Sequence, residues 1–323
     1  MAKMKKSSIV WLIVAASLTV LGLLTIALSI LASGFDPYAF GTVKYETNSY
    51  EIDEEFKSIS IITNTADITV ESSEGSTVRV VCHEESKIKH LVAVEDGTLT
   101  IERVDERKWY DHIGIGFGST SITVYLPEGV YGDLAIELST GDTEIGDDFI
   151  FESINISAST GDVTNYAWAT GTVKIETDTG DITVEDVNAG SLDLTASTGH
   201  ISVEDVDCRG EIKHRASTGK TYFEDVNCQS ITSVATTGDL SLANVIVAEA
   251  ICIERSTGDV RFDGSDAAEM VIETSTGDVT GSLLSDKVFI ISTDTGNVSV
   301  PESISGGKCK ITTDTGDVEL TVQ

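Results

Sequence analysis

Carboxylates recur along this chain at one fixed place. Asp142, Asp162, Asp181, Asp239, Asp259, Asp278 and Asp317 each follow a Thr-Gly pair, and His200, Lys220 and Asn297 fill the same place in the other three copies. The glycines are Gly141, Gly161, Gly180, Gly199, Gly219, Gly238, Gly258, Gly277, Gly296 and Gly316, always 19 or 20 residues apart. If successive copies stack as β-strands do, about 4.8 Å apart, the residues after glycine form a vertical column. Carboxylates that close repel, or raise each other's pKa, unless a cation bridges them. The column therefore reads either as a solvated turn or as a ladder of weak Ca2+ sites. The Gly-Gly-x-Gly-x-Asp repeat of calcium-binding β-rolls is missing, so no cofactor is expected beyond such weak Ca2+ binding. The ten glycines are expected to be structural, since glycine takes positive φ at a tight corner and aspartate hydrogen-bonds the turn backbone.

His200 and Lys220 interrupt the column side by side. Lys213 and Arg215 face outward from the same coils and Arg209 lies on the connecting side, so these five form the one basic patch of an acidic chain. Such a patch would hold an anion such as a teichoic-acid or glycan phosphate, or simply relieve local repulsion. A second acidic stripe comes from Glu185-Asp186, Glu204-Asp205 and Glu224-Asp225. His214 and Cys309 fall at inward phases and Cys252 points out. Cys208 and Cys228 share a phase one coil apart, about 5 Å, within disulfide range. There are five cysteines, so at least one thiol stays free or pairs between chains.

Bulk properties remove several classes. A formal net charge of −32 repels nucleic acid and anionic lipid and attracts cations or basic peptides. The cysteines lack C-x-x-C spacing, which argues against a zinc finger. There is no His-Glu-x-x-His or phosphate-loop pattern, and no Ser-His-Asp constellation stands out. A pectate-lyase-like site would need clustered acids, a basic proton acceptor and sugar-binding aromatics; Arg215 and Lys220 lie near acids, but aromatics are only 6% of the chain. The chain is not expected to be an enzyme.

The elements that must carry these columns follow from the period. A repeat near 20 residues means a stack in which each unit buries its core against its neighbours. Counting back seven and five from glycine gives Leu134/Ile136, Ile154/Ile156, Val173/Ile175, Leu192/Leu194, Met270/Ile272 and Phe289/Ile291. Counting forward two and four gives Ile182/Val184, Ile201/Val203, Leu240/Leu242, Val260/Phe262 and Val318/Leu320, and seven forward adds Val187, Val206, Val226 and Val245. One strand before the corner, one after it and a short third side predict an all-β fold: a right-handed, single-stranded parallel β-helix, or β-solenoid.

The domain reading is a basic cytoplasmic tail (1–8), a transmembrane anchor (9–32), a juxtamembrane linker (33–56) and a solenoid ectodomain (57–323). Within the last, 57–120 are irregular first coils with a loop and 121–323 are regular Thr-Gly-Asp repeats. Ile9 to Ala32 carry no charge; as a helix they would measure about 36 Å, enough for a hydrocarbon core of about 30 Å. Lys3, Lys5 and Lys6 would hold the N-terminus in the cytoplasm and place the rest outside. A cleaved signal is the alternative, with Ala32-Ser33-Gly34 a weak cleavage site. The Lys108-Trp109-Tyr110 and Gly114-x-Gly-x-Gly loop is expected to leave the stack, either as a contact site or as a cover for the core's open end.

The Leu126-Pro127 edge followed by Thr-Gly-Asp repeats of 19–20 residues resembles the bacterial putative-adhesin β-strand-repeat family, a domain of unknown function common in Firmicutes. The resemblance covers roughly residues 57–322. It implies a membrane-tethered cell-surface β-helix with no established enzymatic activity, and carries no functional residues over. Some members are linked to envelope stress and cationic antimicrobial peptides. The function expected is therefore a non-enzymatic adhesive or scaffolding surface module. The alternative is an envelope-stress component that captures cationic peptides or divalent cations. Expected partners are the membrane, cell-envelope polymers, cationic peptides or another membrane protein, and no nucleic acid.

Overall fold

The computed structural model describes residues 6–32, 43–73, 75–109 and 118–323. Lys6–Ala32 form one helix, α1. Among the described residues no helix is long and apolar enough to cross a membrane, so the expected transmembrane anchor is not shown. The Gly114 loop lies outside the described residues.

The remaining elements are strands of one continuous sheet. From residue 133 onward each strand pairs in parallel with its counterpart one coil away, in the register the glycine phase predicts: Ile156 with Ile175, Ile175 with Leu194, Leu194 with His214. The sequence-phased inward positions of the middle coils are buried to within 2%. The expected solenoid is therefore present, with aliphatic ladders filling its bore.

Two corners shape each coil. At the first, glycines from Gly141 to Gly296 take φ between +134° and +156°, while Gly316 falls outside that range. A Cβ at Gly180 would lie 2.0 Å from the Gly161 carbonyl oxygen. No side chain fits there, which is why glycine recurs. The second corner uses Asp186, Asp205, Asp225, Asn244 and Gly264, all with φ between 52° and 61°. Aspartate, asparagine and glycine are the residues that tolerate this left-handed conformation. Half of the second acidic stripe is therefore a backbone requirement.

The first strands depart from the parallel pattern. They are β1 (Tyr45–Ile52), β2 (Ser58–Ile62), β3 (Asp67–Ser72), β4 (Val78–Glu85), β5 (Ile88–Glu95), β6 (Thr98–Asp105) and β7 (Ser121–Leu126). β1 lies inside the stretch read as linker; its alternating positions Asn48, Tyr50 and Ile52 are half-buried, and it pairs antiparallel with β4. β4 also pairs antiparallel with β7, and β5 with β6. The coil of β2 and β3 is sandwiched between β6–β7 on one side and the 133–145 coil on the other.

The C-terminal end repeats that device. Strand Gly307–Thr315 pairs with both Val260–Thr276 and Lys287–Thr295, so the last coil in the sequence is inserted one layer inside the stack. Reading the column in chain order as Asp278, Asn297, Asp317 is thus corrected to Asp278, Asp317, Asn297. Every coil carries the same phase, so a coil can seat against any other, and Cys309–Ile311 reaches Met270–Ile272 before Phe289–Ile291 does.

Candidate functional site

The carboxylate column is a hydrogen-bonded ladder. Asp67 Oδ1 accepts the Asp142 N–H at 3.1 Å, Asp142 accepts from Asp162 at 2.9 Å, Asp162 from Asp181 at 2.8 Å and Asp181 from His200 at 2.6 Å. Beyond the interruption, Asp239 accepts from Asp259, Asp259 from Asp278, Asp278 from Asp317 and Asp317 from Asn297. Each carboxylate thus satisfies a corner amide that the parallel ladder leaves free. His200 continues the series because its Nδ1 accepts the Lys220 N–H at 3.0 Å. Lysine has no acceptor, so the ladder stops at Lys220, whose ammonium instead pairs with Asp239 at 3.1 Å. Among the described residues no three column donors come within 4.8 Å of one another.

The five basic candidates occupy three places. His200 and Lys220 sit at the glycine corner, and Lys213 and Arg215 lie on the strand Glu211–Thr218, where Lys213 pairs with Glu211 and Arg215 with Asp193. Arg209 lies on the third side and donates to the Thr170 carbonyl at 2.7 Å. Arg209 borders a groove of about 890 Å³ running across several coils, floored by small residues such as Ala169, Ala189 and Cys208 and flanked by Trp168. Cys208 and Cys228 both border this groove, buried and with free thiols. Burial pushes both thiols up, Cys228 to about 12.

Burial and crowding act together in the second stripe. Glu204 sits in register between Glu185 and Glu224. Partial burial and then the charges of Glu185 and Glu224 hold its carboxyl above the usual range.

Inside the bore, His214 is fully buried, with Nδ1 2.9 Å from Ser233 Oγ and Nε2 2.9 Å from Thr221 Oγ1. Burial, reinforced by the Arg255 charge, pushes it down to about 3, so it is a neutral core residue. Arg255, missed in the sequence, is also buried and donates to the Gly238 carbonyl at 2.8 Å and to Ser233 Oγ at 3.3 Å. Counting three back from each glycine would have found it, because Ala196, Ala216, Ala235 and Thr274 hold that place in neighbouring coils. A buried cluster of Cys82, Glu84 and His90 at the N-terminal end was likewise missed.

Comparison with known proteins locates the chain by family. No curated protein matches it. Among solved structures it is similar to a putative adhesin of Bacteroides fragilis (14% identity, covering 87% of this chain and 97% of that one, TM-score 0.44). It is also similar to a putative lipid binding protein of Parabacteroides distasonis (16%, 73% and 94%, TM-score 0.44) and a putative adhesin of Parabacteroides merdae (14%, 86% and 97%, TM-score 0.42). One family model matches residues 56–217 and again 209–323, nearly the whole solenoid. The chain belongs to the Toastrack DUF4097 family.

Proposed function

We propose that this chain is a non-enzymatic cell-surface module: α1 anchors it in the membrane as a single pass, and a right-handed solenoid stands outside as an adhesive or scaffolding face. The observation that carries this is the ladder. The carboxylates that recur along the column are committed to holding the backbone of the next coil, where a catalytic group must be free to change partners. What the rod offers a partner is a stiff, stacked, acidic exterior. The anchor is supported by a helix of 27 residues that carries no charge after Lys6 and would measure about 40 Å.

The test is fractionation of cells making the full chain with a C-terminal tag. The tag should stay with membranes through alkaline carbonate extraction and be removed by protease added to intact cells. Release by carbonate, or a protected tag, would sink the proposal. Capture of cationic peptides is a second reading, favoured by the charge of −32 and by the stacked carboxylates around Glu204, where burial and then like charges raise its pKa. Binding of polylysine to the full chain in nanodiscs should then weaken steeply with salt; salt-independent binding would reject it.

A further inference from the structure

Cys82 and Glu84 stand two positions apart on β4, so both side chains enter the same buried face of the strand. The hairpin between β4 and β5 brings His90 against them. One donor atom from each residue lies within 4.8 Å of the other two, and among the described residues this is the only such group of three. Cys82 and Glu84 are 0% exposed and His90 is 4% exposed. Glu84 Oε2 accepts the His90 backbone N–H at 2.7 Å and stands 2.7 Å from His90 Nδ1. The outer atoms are held from behind: Asn48 donates to Glu84 Oε1 at 2.7 Å, and His90 Nε2 lies 3.0 Å from Thr63 Oγ1.

We propose that Cys82, Glu84 and His90 bind a thiophilic divalent cation, with zinc the best match to the donor set. Zinc takes sulfur at about 2.3 Å and nitrogen or carboxylate oxygen at about 2.0–2.2 Å. His90 Nδ1 and Glu84 Oε2 would separate from their present contact to roughly 3.3 Å in a tetrahedral site with bonds of that length. The surrounding hydrogen bonds are those that orient metal ligands, since Thr63 holds the far imidazole nitrogen and Asn48 the far carboxylate oxygen. Sγ, Nδ1 and Oε2 are then the atoms that converge. Charge also balances, because a thiolate, a carboxylate and a divalent cation sum to zero in a site too dry to keep a net charge.

Burial and the Glu84 charge push the Cys82 thiol up to about 12; a coordinated cation reverses that preference and takes the thiolate, releasing one proton. A cavity of about 450 Å³ borders His90. Three protein donors leave a fourth position for water. The ion would join β4 and β5 to β1 through Asn48 and to the end of β2 through Thr63, stapling the antiparallel end of the stack.

The test is cobalt titration of the full chain, purified in detergent and stripped with chelator. One equivalent of Co2+ should bind with a thiolate-to-cobalt charge-transfer band and be displaced by zinc, and zinc should raise the melting temperature. C82S should lose the band and weaken zinc binding by at least about tenfold; H90Q should weaken binding as much but keep a thiolate band at saturating Co2+, while C252S at an exposed cysteine should retain both band and affinity. The absorbance of the unsubstituted protein decides the question even if a variant misfolds. No cobalt uptake, uptake without the band, or equal binding by a folded C82S would overturn the proposal and leave a buried His90–Glu84 pair.

Discussion

At the N-terminal end of the stack, the coil of β6 and β7 is covered by β5 and β4 and leaves Leu99, Ile101, Ile122 and Val124 fully buried. At the C-terminal end, the coil Lys287–Thr295 with Val298–Ser299 pairs on one side only among the described residues. Its Phe289 and Ile291 are partly exposed and Val298 is 49% exposed. Both ends tuck the first or last coil of the sequence one layer inward, yet only the first adds antiparallel strands over the opening. Insertion and sealing are therefore separate devices. Insertion prevents the terminal coil from fraying alone, because it has neighbours on both sides. Sealing removes apolar side chains and unpaired strand edges from water.

The largest effect should come from the corners that both ends share with the middle. G180A would drive a methyl into the Gly161 carbonyl, with neighbours above and below that cannot retreat. A loss on the order of 4 kcal/mol or more is expected in denaturant melts. G296A, in the outermost coil, should cost visibly less because that coil can shift outward. Equal losses would show that the corner, and not its position in the stack, sets the penalty.

The inserted coil gives the sharpest contrast. Ile311 is fully buried while Ile291 is not, so I311A should cost about 2–5 kcal/mol and I291A about half as much. Stacking in sequence order would reverse this ranking, so the pair of melts distinguishes the two arrangements. A smaller change is expected at the ladder: D162A removes the acceptor for the Asp181 N–H and should cost about 1 kcal/mol, with D162N milder because its amide oxygen still accepts.

The smallest effect concerns the crowded stripe and has a definite sign. Glu204 has its pKa raised in the folded chain, so the folded state binds its proton more readily than the unfolded state does. Its ionised form destabilises the fold above that raised pKa, and the effect fades as pH falls and the proton is taken up. E204Q should therefore raise the melting temperature slightly near neutral pH and give no gain below about pH 4. A gain that persists in acid would mean that packing, and not the cost of the ionised carboxylate, is being relieved.

The period, the glycine corners and the inward positions of Ile175, Leu194 or Val203 were legible in the sequence because they are local. Glycine marks a backbone conformation and alternation marks a face, and neither depends on which coil lies next door. His214 could likewise be placed inside, and Cys252 outside, by phase alone. What each column residue does needed the neighbour: Asp162 reads as a turn residue or a metal ligand until the Asp181 amide is found above it. Asp186 and Asp205 looked like surface charge until their left-handed φ was seen. Coil order was out of reach for a deeper reason, since a repeat in which every unit has the same phase carries no label for which unit stacks on which. Only tertiary packing placed Cys309 between Met270 and Phe289, and only the antiparallel hairpin brought His90 back to Cys82 and Glu84.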